Sequence, residues 1–288
     1  MKNWMKGLAA GVLVLGLAAC GETAEPKTDP ETGKKAEIKN ESKMTAQEVF
    51  KKSVEASADQ KSMHAQMDID QLLEVPSQDL KMNSKIKMDM DMIVEPLSMY
   101  QKMQMDMGEQ GSMDTEMYMT EEGFFMYEPT TDQWMILPSE LVGEMGGEAD
   151  PTLDMEMFND FVDDFTFEQT EDEYVLKLKA SGEKFNTLLK EVAMQNLPEG
   201  LEEGTEEAEI LENMEVKSLE YEIFIDKKTF QTNAFNMDID MTMGIDEEET
   251  HIVQKMKAQL SKINEIEKIE IPQEVLDKAV DMNELMGQ

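Results

Sequence analysis

From Ser62 onward the chain alternates. Met63, Ala65, Met67 and Ile69 fall in one phase, and His64, Gln66, Asp68 and Asp70 in the other. A period of two predicts a half-buried β-strand, one face apolar and one wet. The pattern is cleaner over 82–94, where Met82, Ile86, Met88, Met90, Met92 and Val94 oppose Asn83, Lys85, Lys87, Asp89 and Asp91. It returns with Met99, Met103, Met105 and Met107, then with Met113, Met117 and Met119. Shorter strands are predicted at 123–128 and 133–137 around the turn Pro129-Thr130-Thr131-Asp132. A strand pair follows at 164–169 and 173–180. Leu219, Tyr221, Ile223 and Ile225 then alternate, Asp226 to Thr229 turns the chain, and Phe235, Met237, Ile239, Met241 and Met243 alternate against Asn236, Asp238 and Asp240. A turn over 244–250 leads into a last long strand, 251–263.

Helical signals are fewer. Thr45-Ala46-Gln47-Glu48 has the form of a capping box, so a helix is predicted over 45–59. Two short helices broken by Gly146-Gly147 and Pro151 are expected in 138–163. A longer one is expected over 181–197, with Phe185, Leu188, Leu189 and Val192 on one side. Residues 198–213 read as an acidic, mobile loop, and Gln273 to Met282 as a short closing helix. Strands that are apolar on one face only must be covered on that face. The expected fold class is therefore α+β: a single large curved antiparallel sheet, an open half-barrel, with helices packed on its concave face.

The amino terminus has another texture. Lys2 and Lys6 precede an apolar stretch, Gly7 to Leu17, that is too short to be a stable spanning helix. It ends in Leu17-Ala18-Ala19-Cys20, which resembles the lipobox of bacterial lipoproteins. Residues 1–19 are thus expected to be a signal peptide, and Cys20 to carry a thioether-linked diacylglycerol on the outer face of the cell membrane. Two acyl chains at roughly 0.8 kcal/mol per buried CH₂ give durable anchoring. Residues 20–44 are polar, with two prolines in the segment, and are expected to be a disordered tether; the domain proper is expected over 45–288. Cys20 is the only cysteine, so no intramolecular disulfide can form.

Charge narrows the partners. The chain has 26 lysines, no arginine and 63 acidic residues, for a net charge of −37. Phosphate recognition needs a basic surface, so no nucleic-acid partner is expected. The same charge repels anionic head groups, which leaves the acyl chains as the expected membrane contact.

Taken together, the lipobox, the polar tether, the helix followed by long amphipathic strands and the segment Ile269 to Asp277 (Ile-x-Ile-Pro-x-x-Val-Leu-Asp) resemble an uncharacterised lipoprotein family of Gram-positive bacteria. That family is similar to the LolA, LolB and LppX group. The resemblance spans roughly 45–280 and implies an open half-barrel capped by helices. No arginine is present to match LolA's, so nothing of its transfer partners carries over.

Of the 29 methionines, 27 follow the signal peptide. Flexible, polarizable thioethers suit a surface that accepts varied apolar shapes, although methionine also simply fills cores. Met88, Met90, Met92, Met105 and Met117 are the candidates for lining a ligand cavity. Thioether binding of Cu(I) is a rival that lacks supporting Cys or clustered His. The pairs Asp68/Asp70, Asp89/Asp91 and Asp238/Asp240 would suit Ca²⁺ if their strands were neighbours, but a solvated charged face is the simpler expectation. His64 and His251 stand alone in polar phases, and no nucleophile elbow, zinc helix or phosphate loop is present. A non-enzymatic protein without cofactor is expected, binding or carrying a lipophilic ligand. The alternative is a packed structural or interaction module working through its acidic surface. The anchor has a direct check: Cys20→Ser should leave the protein unprocessed or released on membrane fractionation, and an unchanged membrane-bound, processed product would refute it.

Overall fold

A computed structural model describes residues 23–29, 32–39, 41–137, 165–181, 186, 187, 190, 213–245 and 248–282. Cys20, the expected helices at 138–163, the expected helix at 181–197 apart from Ser181, Asn186, Thr187 and Lys190, and the loop 198–213 apart from Asn213 lie outside them. The alternating stretches become strands: β1 (Glu25–Pro26), β2 (Ser62–Val75), β3 (Leu80–Ile93), β4 (Ser98–Asp106), β5 (Ser112–Thr120), β6 (Gly123–Glu128) and β7 (Gln133–Leu137). Then come β8 (Thr166–Gln169), β9 (Glu173–Ala180), β10 (Glu215–Asp226), β11 (Thr232–Ile245), β12 (Glu248–Ser261) and β13 (Val280–Asp281). All thirteen, among the described residues, join one open sheet in the order β1-β8-β9-β10-β11-β12-β2-β3-β4-β5-β6-β7-β13. Only the two-residue edge strands β1 and β13 run parallel to their neighbours; the other pairings are antiparallel. The fold is α+β, a single large curved sheet in the form of an open half-barrel.

Register keeps two unlike faces apart. One row across eight strands reads Leu178, Tyr221, Met237, Met256, Ile69, Ile86, Met105 and Met113, each directly opposite the next. The adjacent row, on the other face, reads Lys177, Glu222, Asn236, Lys257, Asp68, Lys87, Gln104 and Asp114. Opposite charges facing each other across strands contribute roughly 0.2–1 kcal/mol per pair. Lys177 lies 3.0 Å from Glu168 and 3.3 Å from Glu222. Its burial works against the charge, but these two carboxylates outweigh that and raise the Lys177 pKa.

Helix α1 (Ala46–Ala58) starts where the sequence places it, on a complete capping box: Glu48 N–H donates to Thr45 Oγ1 at 3.2 Å, and Thr45 N–H to Glu48 Oε2 at 2.9 Å. Val49 and Phe50 are buried against the apolar face of β8–β11, among Phe165, Leu176, Leu178 and Ile223. The closing helix α2 (Gln273–Lys278) does not share the face that α1 covers. It lies on the other face, where Val275 and Ile271 pack on Tyr118 and Phe125, with Trp134 and Ile136 alongside. Over β4–β7 that face carries aromatic rings where β2 and β12 carry charges, so it needs a cover of its own. The β5–β6 turn beneath demands glycine: Gly123 has φ +137°, and a Cβ there would meet the Phe125 ring at 3.2 Å.

The expected tether is also different. Residues after Thr23 are tied to the sheet edge: β1 pairs with β8, and Ala24 is buried in the core cluster around α1. Gln169, fully buried, donates to the Ala24 carbonyl at 2.6 Å and accepts from Ser42 N–H at 3.0 Å; Tyr174 O–H donates to Ser42 at 2.6 Å. A buried amide requires such partners, and the polar chain 23–44 supplies them. The core itself is tested by Leu176→Ala, at a side chain with 0% exposure, which should cost about 2–5 kcal/mol in chemical denaturation. Leu80→Ala, at a site 39% exposed, should stay within about 0.5 kcal/mol.

Candidate functional site

Alternation along β3, β4 and β5 sends Met88, Met90, Met92, Met105 and Met117 to the same face, the one α1 covers farther along the sheet. Their surroundings then separate them. Met90 and Met92 are 7% and 0% exposed and pack with Met63 and Ala65, so they are core residues. Met88, Met105 and Met117 remain half-buried. Met88 stands between Met67 and Met103, Met105 faces Met113, and Met117 faces Met126, which in turn faces Met135. Met126 and Met135 carry no such signal in the sequence, because β6 and β7 are apolar in both phases and no alternation marks which side chains share the methionine face.

The apolar face therefore has two halves. Across β8–β10 it is closed by α1 and built from fully buried aliphatic and aromatic side chains. Across β3–β7 it offers rows of neighbouring thioethers that keep partial exposure. Each methionine has three rotatable bonds and a polarizable sulfur, so such rows can reshape around an apolar guest.

The charged face offers two clefts of about 330 and 570 Å³, both lined by Asp70, Lys85 and Lys255. In the larger, Asp68, Asp70 and Asp238 are interleaved with Lys85, Lys87, Lys255 and Lys257. Asp238 faces Lys255, which faces Asp70, which faces Lys85, so the aspartates of β11 and β2 are separated by a lysine row. Asp89 likewise stands between Gln66 and Lys102. Among the described residues no group of three or more His, Cys, Asp or Glu side chains is placed to hold a metal ion.

Both histidines serve the register of this face. His64 Nδ1 is 2.7 Å from Asp91 Oδ1. His251 bridges two strands, with Nε2 2.8 Å from Asp240 and Nδ1 3.1 Å from Glu74. The Asp240 and Glu74 carboxylates raise the His251 pKa, against smaller opposing pushes from partial burial and then from Lys217. Glu74 is held below the usual carboxylate range by Lys81 first and His251 second. On the aromatic side of the same face, burial, with nearby Glu116, pushes Tyr100 up to about 12.

The sequence matches the profile of one family, described as a family of unknown function (DUF6612), over residues 45–280. No curated protein matches it. Solved structures that match include LprF from Mycobacterium bovis, with 12% identity, TM-score 0.40, and coverage of 79% of this chain and 95% of that one. The Mycobacterium tuberculosis lipoprotein LppX matches with 13% identity, TM-score 0.38, and 78% and 98% coverage. A putative outer membrane lipoprotein-sorting protein domain from Vibrio parahaemolyticus matches with 11% identity, TM-score 0.25, and 78% and 95% coverage.

Because the folded-state pKa of His251 is raised, its contribution to stability is complete below its unfolded value and fades as the pH climbs through the folded value. The stability lost in His251→Gln should accordingly be larger at about pH 5.5 than at about pH 9, measured as a difference in Tm from the wild type. An equal loss at both would show that the bridge carries no charge.

Proposed function

We infer that this chain, which belongs to the family of unknown function DUF6612, is a lipid-anchored lipoprotein of the outer face of the cell membrane that binds or carries a lipophilic ligand. The anchor is Cys20, and the ligand lies on the methionine-lined half of the apolar face. The role is binding and carriage without bond-making chemistry.

One observation carries the reading. The same face of one sheet is sealed by α1 at β8–β10, yet at β3–β5 presents Met88, Met105 and Met117 half-buried in rows of thioethers. Apolar surface left partly open favours a guest by roughly 25 cal/mol for each Å² the guest removes from water. Thioether rows add tolerance for shape, which a chain of methylenes needs more than it needs directional hydrogen bonds. The alternative, a packed module acting through its acidic surface, has less behind it, since Asp68, Asp70, Glu74 and Asp238 of the central charged face each stand opposite a lysine.

An apolar fluorescent probe should bind the wild type saturably and be displaced by a long-chain fatty acid. Met117→Glu and Met88→Glu, which put a charge on the proposed surface, should weaken the probe by about tenfold or more, equivalent to at least 1.4 kcal/mol. Met90→Ala should instead act on stability, by about 2–5 kcal/mol, because Met90 is core. Absence of saturable binding in the wild type would leave the packed module as the better account.

A further inference from the structure

We propose that the β1–β8 edge of the sheet, with the strap formed by residues 23–29, 32–39 and 41–44 along it, is the surface this protein turns toward the lipid head groups. The proposal rests on Cys20 being the lipid anchor.

Distance is the first ground. The strap is held at both ends: Thr23 bridges to Thr45 at the start of α1, Lys27 N–H donates to the Gln169 carbonyl, and Lys39 N–H to Glu171. Lys27 also sets its ammonium 4.8 Å from the centre of the Phe224 ring, a contact that favours the bound strap. Gln169 and Tyr174 fasten its two ends to β8 and β9 from beneath. With that much of the chain committed, only Gly21 and Glu22 separate Cys20 from Thr23. Three residues fully extended span about 10 Å. A free chain of 24 residues would have let the domain roam; the strapped one keeps the β8 edge next to the bilayer. The opposite edge, β7 with β13, lies at the far end of the sheet order.

Charge is the second, independent ground. Residues 23–52 hold seven lysines and six acids, close to neutral, whereas residues 53–288 carry a net charge of −39. An anionic bilayer repels the bulk of the protein and leaves the strap, with the start of α1, as the part that can approach it at little cost. The field and the short link orient the domain the same way.

The test uses lipidated protein purified from membranes and reconstituted into phosphatidylglycerol–phosphatidylcholine vesicles carrying a head-group quencher. A fluorophore is attached through Thr166→Cys, on β8, or through Gln133→Cys, on β7; both positions are exposed. Quenching at 166 should exceed that at 133 by about fivefold. Insertion of ~20 Gly/Ser residues between Glu22 and Thr23, a link with a root-mean-square span of about 25 Å, should largely erase the difference. Equal quenching at the two sites without the insertion would overturn the orientation, as would rapid protease cleavage within 23–44 of the folded wild type. Failure of the wild type to fractionate with membranes is a separate result, and it would overturn the anchor itself and the orientation with it.

Discussion

The constraint on which everything else depends is phase. A strand's side chains alternate, so a slip of one residue in any pairing would carry its thioethers into the charged face and its lysines into the apolar one. Here the phase must hold through the long pairings from β9 to β5. Both faces enforce it. The apolar row from Leu178 to Met113 gains only when every member lies on the same side, and the row from Lys177 to Asp114 places Lys opposite Glu or Asp at three of its pairings. His251, between Asp240 and Glu74, ties β11, β12 and β2 at the seam where the two halves of the chain meet.

Once phase is fixed, what covers each face decides what the protein can do. Among the described residues α1 seals the β8–β11 portion, and there the core is aliphatic, aromatic and closed. The carboxy-terminal segment is spent on the other face, where Tyr118, Phe125 and Trp134 would otherwise stand in water. Met88, Met105 and Met117 gain no such cover from α1 or α2, which is why binding is assigned to them and not to the equally apolar surface beneath α1.

Much of this was legible in the sequence, for a local reason. The period of two places Met88, Met90, Met92, Met105 and Met117 on one face from neighbouring residues alone, and Thr45 and Glu48 announce the helix start from three residues apart. Exposure was not legible, since Met88 and Met92 have the same phase and differ only in what reaches them from elsewhere. The strap was missed because its ordering comes from Gln169 and Tyr174, more than a hundred residues on, and a polar segment held by hydrogen bonds has no hydrophobic signature. The side chosen by α2 did leave a trace. Gly123 to Glu128 reads GFFMYE, apolar in both phases, which means a strand covered on both faces.

The strand order also has a consequence for how the chain reaches this state. Strands β2 to β7 follow one another as hairpins, and such local pairings form early. The other edge of β2, however, pairs with β12, with Asp68 opposite Lys257. During synthesis from the amino end, that edge stays open until nearly the whole polypeptide has been made. An unpaired edge of fourteen residues is a template for aggregation. On its wet face β2 carries His64, Gln66, Asp68, Asp70 and Glu74. These residues, which in the finished molecule merely lock a register, keep the waiting edge soluble and reject a second copy of the same strand by like charge.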